Sequence, residues 1–136
     1  MEKTRFTFTA DKQFRDNIIY QDLEGNHFQR EYLVLGKADN HAHAIELGEK
    51  ASFPLVADPH EALPLFSYDH CDPAVHPELR EALKYDGYRL WTAKVDVDPS
   101  SSDLAWYVGL NYGDVRINDR HGSGLAVGCR RVPPSQ

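Results

Sequence analysis

The chain is poor in cysteine: Cys71 and Cys129 are the only two in 136 residues. Two thiols cannot build the disulfide-dense scaffold of a small secreted domain. They read as free thiols in a reducing compartment, with a single bridge left open if their Cα atoms come within ~7 Å. No apolar run approaches the ~20 residues of a membrane span. Met1-Glu2-Lys3-Thr4-Arg5 leads into an alternating segment, not the apolar core of a secretory signal, which points to a cytoplasmic protein or one exported by another route. Positive charge is also in deficit. The net charge is −6, and residues 1–87 hold 16 acids against 9 bases, whereas 88–136 hold 5 against 6. A nucleic-acid binder working by counterion release needs the opposite sign. There is no Gly-rich phosphate loop, no Gly-x-Ser-x-Gly elbow, no metalloprotease His-Glu pair and no internal repeat.

What the chain has is a 41% hydrophobic and 11% aromatic composition, suited to one globular domain over residues 1–136. Its clearest pattern lies in 88–132. Trp91, Val95, Trp106, Val108, Leu110, Val115, Ile117, Leu125 and Val127 fall in short runs with period-2 character. Turn residues separate the runs at 98–102, 111–114 and 119–124. This predicts a closing β-meander of four strands at about 89–95, 104–110, 114–118 and 125–132. Strands this short need the first 87 residues to cover one face.

Upstream, 4–9 alternates aromatic and polar residues as a strand does. Apolar clusters at 14–20 and 27–35, separated by Asp22-Leu23-Glu24-Gly25-Asn26, read as an accessory hairpin. Asp39-Asn40 can cap a helix over 41–50. Asp58 is an N-cap for a second helix, with Pro59 in its first turn, Glu61 at capping-box spacing, and Pro64 keeping it short. A third helix is predicted from Pro77 to about Tyr85, with Leu79 and Leu83 at i, i+4.

Several elements together resemble the Lcl C-terminal domain family, C-type-lectin-like domains of largely unknown function. They are Leu90-Trp91-Thr92-Ala93, the Ala-Trp-Tyr-Val run at 105–108, Asn111-x-Gly113-x-Val115 and the terminal Val127-x-Cys129-Arg130. Upstream, Phe53-Pro54-Leu55, Glu61-Ala62-Leu63, Ser67-Tyr68-Asp69 and Asp72-Pro73-Ala74 extend the likeness to about residues 40–132. The chain departs from the family pattern at Phe53-Pro54-Leu55-Val56 and at Gly128, where a larger residue is common. The resemblance implies an α+β, C-type-lectin-like fold with two or three short helices and with the first strand, 4–9, beside the last.

The candidate chemistry is thin. His41, His43, His60, His70, Cys71, Asp72 and His76 invite a metal reading, but His41 and His43 point about 200° apart on a helix and the spacing fits no zinc motif, so surface or capping histidines are expected. Asp96, Asp98, Ser100 and Ser102 resemble the start of a calcium loop, yet the sixth and twelfth positions are Ser101 and Tyr107 rather than Gly and Glu. The Glu-Pro-Asn, Gln-Pro-Asp and Trp-Asn-Asp patterns of calcium-dependent lectins are absent too. Cys129 with His121 suggests a nucleophile and a base, and formylglycine-generating enzymes, which share the broad C-type-lectin-like architecture, use cysteines, but a buried structural thiol is the preferred reading.

The expectation is therefore a non-enzymatic binding module without a cofactor, recognising a macromolecule through loops 96–103, 111–114 and 119–124 and through an acidic face. Aromatic and Arg residues are favoured interface anchors. Period 2 puts Trp106 and Val108 on one face, taken as core, and Tyr107 on the other. The expected binding residues are Tyr107, Tyr112, Asp114, Arg116, Arg120, Glu78 and Glu81. A protein partner with a basic surface is preferred, with neither nucleic acid nor membrane expected. The alternatives are a phage- or mobile-element-encoded inhibitor of a host complex, a glycan- or polyanion-binding adhesin, and a formylglycine-type or metal-dependent enzyme.

Overall fold

The structure, a computed structural model, describes residues 5–95 and 104–134. Loop 96–103, with its candidate calcium ligands and its expected binding role, lies outside the described residues. The described chain is a sheet-rich α+β fold. In order it forms β1 (Phe6–Ala10), β2 (Gln13–Asp16), β3 (Tyr20–Gln21), β4 (His27–Ala38), α1 (His41–Ala51), α2 (Pro59–Ala62), β5 (Arg89–Val95), β6 (Leu104–Gly109), β7 (Val115–Asp119) and β8 (Gly124–Val132). Single 3-10 turns occupy Leu63–Leu65 and Pro77–Leu79.

The strand order is β1-β2-β4-β8-β5-β6-β7, with β3 paired to β4. All pairings are antiparallel except β5 with β8, so the sheet is mixed. The predicted four-strand meander holds for β5, β6 and β7 only. β8 crosses back and inserts between β4 and β5. The first strand does not lie beside the last. β1 folds back on β2 through the short turn at Asp11-Lys12, and the long β4 takes the place beside β8, in register from Gln29↔Val132 to Ala38↔Gly124. The segment read as an accessory hairpin is thus central. β4 absorbs one irregularity at Gly36, whose φ of +104° only glycine adopts without strain.

Both faces of the sheet are covered. On one, Phe14, Tyr32, Val56, Leu65, Leu79, Leu83, Leu90, Val108, Leu125 and Val127 form the main core beneath segment 56–85. On the other, Trp91, Ala105, Tyr107 and Ala126 pack with Ala44 of α1. Adjacent residues such as Leu125 and Ala126, or Trp91 and Leu90, serve opposite clusters, as the alternation of a strand requires.

The two predicted caps are present. Asn40 Oδ1 accepts the His43 N–H at 2.8 Å, and Asp58 Oδ1 accepts the Glu61 N–H at 2.9 Å. Glu61 reaches back one residue further than a capping box requires, to the Ala57 N–H. The third helix is not continuous: after the turn Pro77–Leu79, residues 80–83 are turns. Leu79 and Leu83 are buried nonetheless, and the Leu83 N–H still reaches the Leu79 carbonyl at 2.9 Å.

Candidate functional site

The turn between β6 and β7 is held from two sides. Within it the Gly113 N–H bonds the Gly109 carbonyl, and the Gly109 N–H bonds the Asp114 carbonyl. From outside, the Asp72 and Ala74 N–H groups donate to the Asn111 and Leu110 carbonyls, and the Tyr68 hydroxyl donates to the Gly113 carbonyl at 2.7 Å. A turn so tied presents Tyr112, 65% exposed, on a fixed base.

Beside it opens a groove of about 240 Å³ lined by Tyr88, Tyr107, Asn111, Tyr112, Asp114 and Arg116. Asp114 and Arg116 form an ion pair on its rim. Tyr107 packs edge-on against Tyr88 and Trp91, with ring centroids 6.0 and 5.9 Å apart. Burial and the neighbouring Tyr88 raise the Tyr107 hydroxyl above its ordinary pKa, so it stays a neutral donor. The Arg89 guanidinium stands 5.1 to 5.5 Å from the rings of Tyr88, Trp91 and Tyr107 and donates to the Ser123 carbonyl at 2.8 Å. It ties the groove floor to the turn before β8. Sequence reasoning passed over Arg89 because a lone arginine opening a strand carries no signal of three rings gathered from two strands.

The groove adjoins two others. Through Asn111 it meets a cleft of about 370 Å³ that includes Asp72, Arg80, Glu81, Lys84 and Tyr85. Glu81 and Lys84 then continue into a third hollow with Phe8, Asp11, Lys12 and Glu78. Six of the seven expected binding residues, Tyr107, Tyr112, Asp114, Arg116, Glu78 and Glu81, therefore line a trough made of three hollows that share lining residues. Arg120 does not join them. It borders a separate hollow with Asn40, Ala42 and His121.

Three expectations need correction here. Tyr107 is 3% exposed and core-facing, whereas Trp106 is only half-buried. The alternation is as predicted, but α1 covers the face assigned to solvent, and Trp106 lies toward the β7 edge with Lys94 5.5 Å over its ring. Tyr107 can reach a ligand only with the part that lines the groove. Next, several acids of the expected acidic face already have partners or cationic neighbours. Glu46 pairs with Lys50, Asp58 and Glu61 cap α2, and Glu78 and Glu81 share their hollow with Lys12 and Lys84. Finally, His41 is fully buried rather than a surface or capping group. Its ring stands edge-on to Trp91 and its Nε2 bonds the Thr92 carbonyl at 2.7 Å.

Among the described residues no group of three or more His, Cys, Asp and Glu is placed to hold a metal ion. Neither cysteine is in a disulfide: Cys71 is exposed and Cys129 buried. Burial raises the Cys129 thiol well above its ordinary pKa, the reverse of what a thiolate nucleophile needs. His121 is exposed in the turn before β8, away from the buried cluster that holds Cys129. No helix among the described residues is long and apolar enough to cross a membrane. No protein-family model matches the chain, and no curated protein matches it.

Proposed function

We propose that this chain is a non-enzymatic, C-type-lectin-like binding module that takes a protein partner along the trough from Tyr88 and Tyr112 to Glu78. The observation that carries the reading is the concentration of exposed apolar and amphipathic side chains at one end of the sheet. Tyr112, Tyr88 and Tyr68 are 65%, 45% and 67% exposed, beside Val115 and Ile117 of the edge strand β7 at 40% and 42%. Tyrosines offer large contact area with a polar tip at small entropic cost, and Asp114, Arg116, Glu81 and Lys84 give the polar rim that a protein interface has. The C-type-lectin-like reading draws on the order strand, helix, helix, three-stranded meander and last strand, with β4 beside β8 in the role of the first strand.

The charge along the trough is mixed, so its pairs give register more than raw affinity, while the net −6 favours encounter with a basic surface. The test is surface plasmon resonance on a partner recovered from native cells. Tyr112→Ala and Tyr88→Ala should each weaken binding by about tenfold or more. Unchanged affinity in both would place the interface elsewhere.

A further inference from the structure

Away from the trough, the β4–β8 ladder sets two arginines directly opposite one another: Arg30 and Arg131 are register partners. Like charges so placed repel. One rung along, on the other face, Glu31 and Arg130 are also partners and form the ion pair that such a position favours, at 2.6 Å. Neither guanidinium has a hydrogen-bond or ion-pair partner among the described residues; the Arg131 charge does reach the Asp22 carboxylate, whose pKa is lowered first by the Asn26 N–H and also by Arg131. Arg30 is 6% exposed, and its Nε is buried without a partner.

Both guanidiniums are fixed by stacking. Arg30 lies 4.4 Å over Tyr20, and Arg131 lies 4.1 Å over Phe28. The two rings are themselves stacked, with centroids 5.7 Å apart. Stacking satisfies the face of a guanidinium and leaves its N–H edge free for a planar or tetrahedral oxyanion. These four residues, with His60 of α2, line a groove of about 430 Å³. Its own acids lie on the 22–26 turn. The Asp22 carboxylate there is already engaged by the Glu24 and Asn26 N–H groups, each at 2.9 Å.

We propose that the groove is a small-molecule anion site, in which Arg30 and Arg131 together hold a phosphate group and Tyr20 and Phe28 flank the moiety that carries it. Two cations side by side match a phosphate dianion better than a single carboxylate. The volume leaves room for an organic substituent. The site is independent of the protein-binding trough and stands or falls without it.

The experiment is titration with inorganic phosphate and with phenyl phosphate at constant ionic strength, followed by amide chemical shifts and thermal unfolding. Both probes should bind saturably, shift residues of β3, β4 and β8, and raise Tm. Arg131→Gln, at an exposed position, should weaken them about tenfold or more, one charged hydrogen bond's worth. Lys50→Gln removes the same charge on α1 and should leave affinity unchanged. Tighter binding of phenyl phosphate assigns the site to organic phosphate esters, and equal binding assigns it to the free ion. Absence of saturable binding by either probe, or equal losses in Arg131→Gln and Lys50→Gln, overturns the proposal.

Discussion

Arg120 and His41 are joined twice. The His41 N–H donates to the Arg120 carbonyl at 3.0 Å, and Arg120 Nε donates to His41 Nδ1 at 3.1 Å. With Nδ1 accepting, the ring proton sits on Nε2 and is donated to the Thr92 carbonyl. A neutral imidazole thus fastens the start of α1, strand β5 and the turn before β8. Burial is the main cause that lowers the His41 pKa, and Arg120 adds to it.

That depressed pKa makes stability depend on pH. The unfolded chain takes up the proton at the ordinary value of 6.5, and the folded chain only at lower pH. Stability is therefore full above about 6.5 and is lost as pH falls from there through the folded value. Burial lowers His76 as well, and it acts in the same direction. Thermal unfolding should show Tm falling between pH 7 and 5, with a shallower fall in His41→Asn. Identical slopes would remove His41 from the account.

The Tyr107 and Trp106 positions separate the two faces of β6. Tyr107→Ala empties a packed site and should cost about 3–5 kcal/mol. Trp106→Ala, at the sheet margin, should cost about 1 kcal/mol. Urea denaturation of the two variants measures this, and the reverse order would refute the facing of β6.

How far the sequence reached is clear from such cases. Strand β5 and both helix caps were legible because they rest on local chemistry: period-2 runs, an Asn or Asp before a helix, a proline at its first turn. The facing of β6 was not, since period 2 separates two faces but cannot say that α1 covers the second. The position of β8 was hidden for a similar reason. A strand that returns between β4 and β5 carries no local mark of a long-range pairing. In the candidate site, the turn that carries Tyr112 and Asp114 was legible from Asn111 and Gly113, and Arg116 follows it on β7. Arg89 could not be read, because its place depends on the Tyr107 ring from β6 and the Ser123 carbonyl from the turn before β8. Nor could the Arg30–Arg131 rung, which exists only once the register of β4 on β8 is fixed.

Gly128 has a packing reason. A Cβ there would lie 2.3 Å from the Phe53 carbonyl oxygen, where segment 53–56 crosses β8. Gly128→Ala should therefore cost about 2 kcal/mol or more through backbone displacement. Denaturation midpoints decide it, and a neutral substitution would show that the crossing is looser than described.

The thiols should differ in reactivity. Alkylation of the folded protein should label Cys71 at once and Cys129 only on unfolding, because Cys129 is 5% exposed with a raised pKa. Equal labelling in mass spectra, or a 2 Da deficit from a Cys71–Cys129 bridge, would contradict this.

Association with the partner should be salt-sensitive. Screening acts over ~10 Å at 0.1 M, so the on-rate should fall between low and physiological salt. Glu78→Lys with Glu81→Lys should slow association more than it speeds dissociation. Stopped-flow or biosensor kinetics measure both rates, and an on-rate indifferent to salt and to charge reversal would remove the electrostatic part of the reading.

The most direct test of the binding role is capture from native cells with the wild-type chain and with Tyr112→Ala, after matching their thermal stabilities. Tyr112 is exposed on a turn held by other residues, so its loss should leave Tm nearly unchanged. The account predicts a specific protein retained by the wild type and depleted about tenfold or more with Tyr112→Ala. Equal recovery by the two, or retention on heparin with no protein partner, would contradict it.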